Sequence, residues 1–124
     1  MIKFLRLENG NLLNVNDVKE IVNDVQLNRI HDGGVKRALR ATIELQTTVG
    51  RCTVIDVRVY AQLKEGESWN YCTGGGSRAY RNIDEILDTM GTLLVDKMND
   101  ENEKIIDIDT RFLEEAMQAE VDRG

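Results

Sequence analysis

The sequence predicts an α+β fold: an N-terminal antiparallel β-meander followed by two C-terminal helices. Three observations carry that expectation. Residues up to about 75 fall into short alternating apolar and polar runs separated by glycine-bearing turns. From Ile83 the apolar residues switch to helical spacing, and after a polar break they do so again from Phe112. The 124 residues suit one domain over 1–124, with the sheet over about 1–75 and helices over about 82–98 and 109–122.

"IKFLRL-ENG-NLLNV" reads as a hairpin, with Asn9-Gly10 as its turn. "VNDVKEIVNDVQLNRI" is ambiguous. Val18, Ile21, Val22 and Val25 fit a helical template, whereas Val25, Leu27 and Arg29 fit a strand. The balance favours a short helical or irregular piece over 17–24, giving way to a strand near Val25. "HDGG" from His31 to Gly34 is the next turn. Leu39, Ala41, Ile43 and Leu45 then alternate with Ala38, Arg40, Thr42 and Glu44, as a half-buried strand requires. Val49-Gly50 turns the chain again, and Ile55, Val57, Val59 and Ala61 alternate with Asp56, Arg58 and Tyr60. "KEGE" is a further turn, and "SWNYCT" reads as a last short strand with Trp69 and Tyr71 on one face. Asn82 reads as a helix N-cap with Glu85 as its capping-box partner. Ile83, Ile86, Leu87, Met90, Leu93, Leu94 and Met98 form the first apolar stripe. Gly91 interrupts it at a cost of about 1 kcal/mol relative to alanine, which a close helix contact would explain. "NDENEK" is a polar connection, and a second helix from near Asp109 or Thr110 carries Phe112, Leu113, Ala116, Met117 and Val121.

The charge pattern bounds function. A net charge of −6 argues against general nucleic-acid binding. The charge is uneven, however: residues 29–81 hold nine Lys/Arg and five Asp/Glu, and residues 82–124 hold four and thirteen. A basic middle and an acidic end point to two different surfaces. The N-terminus does not read as a signal peptide, and no run approaches the ~18 apolar residues of a membrane helix, so a cytoplasmic location is expected. Cys52 and Cys72 make no disulfide framework, and with a single histidine they make no zinc site. His31 sits in a turn beside Asp32, and neither cysteine has an activating motif beside it. The adjacent pairs Asp100/Glu101 and Glu114/Glu115 do not face each other on a helix, and Asp107 and Asp109 need partners from elsewhere to hold a metal. The expectation is a protein with no catalytic residues, no metal and no cofactor.

"GGGSRAYRN" is the one stretch with a chemistry of its own. Successive glycines let backbone N–H groups converge on an anion, and a following helix N-terminus adds free N–H groups and partial positive charge. Gly74, Gly75, Gly76 and Ser77 form this cradle; Arg78 and Arg81 add bidentate donors, and Tyr80 offers a stacking ring. No Gly-Lys-Ser/Thr follows, so it is no Walker loop, and the antiparallel sheet excludes the dinucleotide fingerprint. Arg29 and Arg111 are further candidates. Arg111 would sit at a positive helix end, which calls for an anion nearby. Lys36, Arg37, Arg40, Arg51 and Arg58 make a possible second basic surface. The apolar stripes exceed what one sheet contact needs, so a homo-oligomer through the C-terminal helices is expected.

In size and layout, and in carrying the anion site just described, the chain resembles the phage anti-Thoeris sponge proteins of the first described type. That resemblance covers the layout of most of the chain. It implies a non-enzymatic, oligomeric protein of the host cytoplasm that sequesters a cyclic ADP-ribose type signal and blocks bacterial anti-phage defence. The same residues would then make the contacts: Gly74 to Arg78, Arg81, Arg29 and Arg111 to phosphate, and Tyr80 to the base. With a net charge of −6, the pocket would have to be locally basic. The other reading is an acidic protein-binding inhibitor or immunity-type protein that uses its C-terminal helices to cover a basic surface on a partner.

Overall fold

The computed structural model describes residues 2–31 and 34–123. Its layout is α+β, with antiparallel strands first and two helices at the C-terminal end. Strands β1 (Phe4–Arg6) and β2 (Leu12–Asn14) form the expected hairpin. Leu7 N–H donates to Asn11 O (2.8 Å) and Gly10 N–H to Leu7 O (3.0 Å), while Gly10 holds φ +88°. This is a three-residue loop closed by a left-handed glycine, rather than a two-residue turn.

A second sheet, β3 (Val18–His31), β4 (Val35–Thr47) and β5 (Gly50–Gln62), is an antiparallel meander in chain order. Leu27 pairs with Leu39 and Leu39 with Val59, and Ala41 lies between Val25 and Val57. This register lines up one buried face through Leu39, Ala41, Ile43, Leu45 and Ile55. Residues 18–24 are therefore strand and not helix. A single 3₁₀ turn over Val15–Asp17 leads straight into β3. A register shift between Val18 and Glu20 displaces the alternation there, so the apolar positions imitate helical spacing. The expected turn His31–Gly34 includes Asp32 and Gly33, which lie outside the described residues.

Helix α1 spans Gly74–Asn99 and α2 spans Arg111–Arg123. Helix α1 lies over β3, α2 lies over β5, and the two helices pack against each other. Ile83, Leu87 and Leu94 of α1 and Leu113, Met117 and Val121 of α2 are fully buried. Two strand expectations fail. "SWNYCT" forms no strand, because the Asn70 side-chain oxygen takes the N–H groups of Cys72 (2.9 Å) and Thr73 (3.1 Å) in a local turn. Trp69 drops into the core and donates to Ala38 O (3.2 Å), whereas the Tyr71 hydroxyl bonds the edge of β3 at Leu27 N and Val25 O. The other surprise is β6 (Ile105–Ile106), a two-residue strand parallel to β1 in what read as a connection.

Buried cations close both helices. Lys3, 6% exposed, donates through Nζ to the carbonyls of Lys97 and Met98 (3.0 Å each) and Asp100. Arg37, 3% exposed, donates to Val121 O and Asp122 O and pairs with Glu67 (2.8 Å). Each cation meets carbonyls that a helix C-terminus leaves unpaired, where the helix dipole is negative. The residue just ahead of the first strand thus fastens α1, and the central strand of the meander fastens α2.

Candidate functional site

The glycine-rich stretch is not a loop ahead of a helix. Helix α1 begins at Gly74, eight residues before the expected cap at Asn82. Packing dictates the early start. A Cβ on Gly76 would lie 2.2 Å from Asn70 O and 2.6 Å from Asn70 N, so only glycine lets the helix approach this backbone. Gly74, with φ +62°, makes the entry bend, and Ser77 N–H bonds back to Thr73 O (3.5 Å).

The cationic and aromatic candidates are dispersed. Arg78 donates to Glu120 on α2 (3.1 Å). Arg81 is exposed and forms no salt bridge among the described residues. Tyr80 is half-buried against the core and meets Tyr71 edge-on, with ring centroids 5.1 Å apart. Arg29 lies near the end of β3 and donates weakly to Glu67 O (3.4 Å). Arg111 opens α2, nine residues from Glu120, which is ~14 Å along a helix. The anion it needs is Asp109, which takes Arg111 Nη2 at 2.7 Å and the Arg111 N–H at 3.0 Å. These bonds from Arg111 hold the exposed Asp109 carboxyl well below the usual range, at about 2. The structure therefore brings Gly74 to Ser77, Arg78 and Tyr80 to one end of α1, but it does not bring Arg111 to them; Arg29 bonds Glu67, three residues before the Asn70 backbone that Gly76 approaches.

The second basic surface divides as well. Arg37 is buried on the helix side of the sheet. Arg40, Arg51 and Arg58 lie on the other side, each tied to an acid. Arg40 and Asp56 pair through two bonds of 3.0 and 2.9 Å, Arg58 joins Asp56 (3.3 Å), and Arg51 meets Glu44 (3.4 Å). The Arg40 hydrogen bonds, then those of Arg58, hold the Asp56 carboxyl below its ordinary value despite burial.

Three acids sit in contrasting environments. Glu120, 5% exposed, accepts from Asn82 (2.9 Å) and Arg78 and pairs with Arg123 (3.4 Å). Burial alone would raise its carboxyl, but these partners outweigh burial and hold it below the usual range. Asp84 is shifted upward, first by burial and then by the neighbouring charges of Asp88 and Glu85. Asp107 is taken by Arg6 (2.7 Å). Among the described residues no three His, Cys, Asp or Glu side chains gather as a metal site would require. No helix there is long and apolar enough to cross a membrane.

A concavity of about 550 Å³ lies between the helices, floored by Ile86, Met90, Leu93, Phe112 and Leu113. A smaller pocket of about 190 Å³ continues past Met90 and Leu93 to Lys97 and Ile108. Leu93 is 54% exposed and Phe112 70%. The apolar stripe of α1 is thus wider than one contact: Ile83, Leu87 and Leu94 turn to the core, while Ile86, Met90 and Leu93 line the groove. Counting apolar residues identified this excess surface in the sequence. Nothing in the sequence showed that it forms a groove, because that depends on how α2 lies against α1. Lys3 and Arg37 gave no local signal either, since their partners are 30 or more residues away, and of the partners of Glu120 only Arg123 is local.

No protein-family model matches the chain, and no match was found among curated proteins or solved structures.

Proposed function

We propose that this is a non-enzymatic protein-binding module, of the inhibitor or immunity type, whose C-terminal helical face covers a basic surface on a partner. One observation carries the reading: an exposed apolar groove lies in a helical layer most of whose carboxylates form no salt bridge among the described residues. Of the thirteen acids in residues 82–124, only Asp107, Asp109 and Glu120 form salt bridges among the described residues. Of the nine cations in residues 29–81, by contrast, Arg37, Arg40, Arg51, Arg58 and Arg78 are paired within the chain. The charge left for a partner is therefore concentrated and negative. An apolar patch rimmed by such charge is what a protein interface needs: burial for affinity, and complementary charge for encounter and specificity.

A photo-crosslinking amino acid at position 112 tests this, used in cells that carry the gene. A discrete protein adduct is expected from position 112 and none from position 49, an exposed turn position far from the groove in sequence. The adduct should vanish when Glu85, Asp96 and Glu115 are made neutral amides. Equal labelling from both positions, or none from 112, refutes the proposal.

Sequestration of a phosphate-bearing cyclic nucleotide is the second reading. It rests on Arg78, whose Nη2 is buried without a hydrogen-bond partner in the described structure, near the first turn of α1. Incubation with cyclic ADP-ribose isomers and cyclic oligonucleotides, removal of free ligand, denaturation and mass spectrometry test it. An intact nucleotide released from the wild type but not from Arg78→Ala supports it. No released nucleotide refutes it.

A further inference from the structure

We infer that the segment received by this groove is a cationic amphipathic α-helix, laid along the seam between α1 and α2; the inference rests on the protein-binding reading. Four observations select that occupant.

The first is backbone chemistry. An extended strand lying on an apolar surface needs an edge with free N–H and C=O groups, or its own are left unpaired. The groove walls are two α-helices, whose backbone groups are bonded along their own axes, so they offer no such edge. A helix brings its backbone already satisfied.

The second is spacing and length. Ile86, Met90 and Leu93 stand at i, i+4 and i+7, with Phe112 opposite on α2. That repeat, one group per turn of about 5.4 Å, matches the apolar stripe of a docking helix. A strand shows same-face side chains every ~6.6–6.8 Å. The combined groove runs from Asn82 to Lys97, ~22 Å along α1, or about four turns.

The third is the charge of the rim. Glu85 lines the groove, and Asp96 lies eleven residues further on, three turns along the same side of α1. Glu115 follows Phe112 by one turn on α2, so Asp96 and Glu115 flank the lining residues without belonging to them, and the one lysine of the lining, Lys97, stands at the far end of the groove. All three are exposed, and none has a salt-bridge partner among the described residues. Lysines or arginines flanking the apolar stripe of a docking helix would meet them.

The fourth disfavours a second copy of this chain. An isologous dimer through this face would bring two acidic faces together, with Glu85, Asp96 and Glu115 of each protomer in the contact and Lys97 as the one lysine of the groove lining. Like charges across an interface select against that pairing.

Synthetic 16-residue peptides test the inference against the intact protein by fluorescence anisotropy. One is an amphipathic leucine/lysine helix. The second has the same composition scrambled, so that its leucines share no face. The third is an amphipathic leucine/glutamate helix. The expected result is that the first binds at least about tenfold more tightly than the second, and the third does not bind. Leu93→Ser with Phe112→Ser, both at exposed positions, should weaken the first peptide by about tenfold or more. Glu85→Gln with Asp96→Asn and Glu115→Gln should weaken it by a similar factor and flatten its salt dependence. Equal binding of the first two peptides overturns the helical occupant while leaving the basic-surface reading intact. Preference for the leucine/glutamate helix overturns the cationic occupant. A dimer by light scattering that Leu93→Ser with Phe112→Ser dissolves makes a second copy the occupant and overturns the inference. No binding by any peptide overturns the inference, and together with no adduct at position 112 it overturns the protein-binding reading too.

Discussion

Two glycines in one helix should respond to alanine with opposite signs. Gly76 and Gly91 are both buried in α1. A Cβ at Gly76 would stand 2.2 Å from Asn70 O and 2.6 Å from Asn70 N, well inside van der Waals contact. Both atoms are backbone, so no side chain can rotate away, and the helix start and the Asn70 turn must separate. Overpacking of this kind costs ~1–3 kcal/mol, and the upper part of that range applies where backbone must move. Alanine regains at most about 1 kcal/mol of helix propensity, which leaves a net loss of about 2 kcal/mol. At Gly91 the nearest atoms to a Cβ are Asn23 Nδ2 and Oδ1, at 3.7 and 3.8 Å. That is ordinary contact, so Gly91→Ala keeps the propensity gain, about 0.5–1 kcal/mol. The unfolding entropy for 124 residues is roughly 0.26 kcal/mol per degree. Gly76→Ala should therefore lower Tm by roughly 8 °C, and Gly91→Ala should raise it by about 2–4 °C. Thermal scans by circular dichroism measure both, and urea titrations followed through Trp69, the single tryptophan, check them. If Gly76→Ala melts with the wild type or above it, the close approach to Asn70 is not what selects glycine. If Gly91→Ala falls as far as Gly76→Ala, the helix does not tolerate a side chain at either site.

Three further perturbations probe the buried charges. Arg37→Met strips the α2 terminus of its cation and leaves Glu67 without its salt-bridge partner, so it should cost about 3 kcal/mol in urea unfolding; a loss below about 1 kcal/mol would mean the contacts are incidental. Glu120 has a lowered carboxyl, so its stabilising contribution is present above the ordinary glutamate range and is lost as pH falls through the folded value. Glu120→Gln should thus be less stable than the wild type near pH 7, with the two stabilities converging in acid; a gap unchanged by pH would refute the assignment. Asp84 has a raised carboxyl, so its ionised form weakens the fold once pH exceeds the ordinary aspartate range. Asp84→Asn should therefore stabilise the protein at neutral pH and have no such effect in acid; a loss at neutral pH would show that the carboxylate is satisfied after all.

How far the sequence spoke depended on how local each cause was. The meander was legible because alternation at Leu39–Leu45 and Ile55–Ala61 reports a half-buried sheet residue by residue. The start of β3 was not, because one register irregularity at Val18/Glu20 shifts the phase of the pattern. The start of α1 was misplaced by eight residues because three glycines oppose a helix locally, and only the approach of Asn70 rewards them. Arg111 shows the reverse case. A cation at a helix start called for an anion, and the anion stands two residues away as Asp109. The groove itself was half legible: the surplus of apolar residues on α1 and α2 was countable, but their convergence needed the antiparallel seating of the two helices.

The basic middle of the chain misleads for a physical reason. A sheet sets side chains of neighbouring strands side by side, so an arginine is within reach of an acid on the next strand, as Arg40, opposite Arg58 in the ladder, is of the diagonal Asp56. Its cations are used up where they fold. Helices present their outer faces to solvent, and of the thirteen acids in residues 82–124 only Asp107, Asp109 and Glu120 form salt bridges among the described residues. Charge counted along the sequence therefore exaggerates the basic surface and understates the acidic one. In the proposed reading a partner meets the second surface first. The apolar floor at Ile86, Met90, Leu93 and Phe112 lies within that surface, so the field that would draw a cationic partner in and the groove that would hold it belong to the same face.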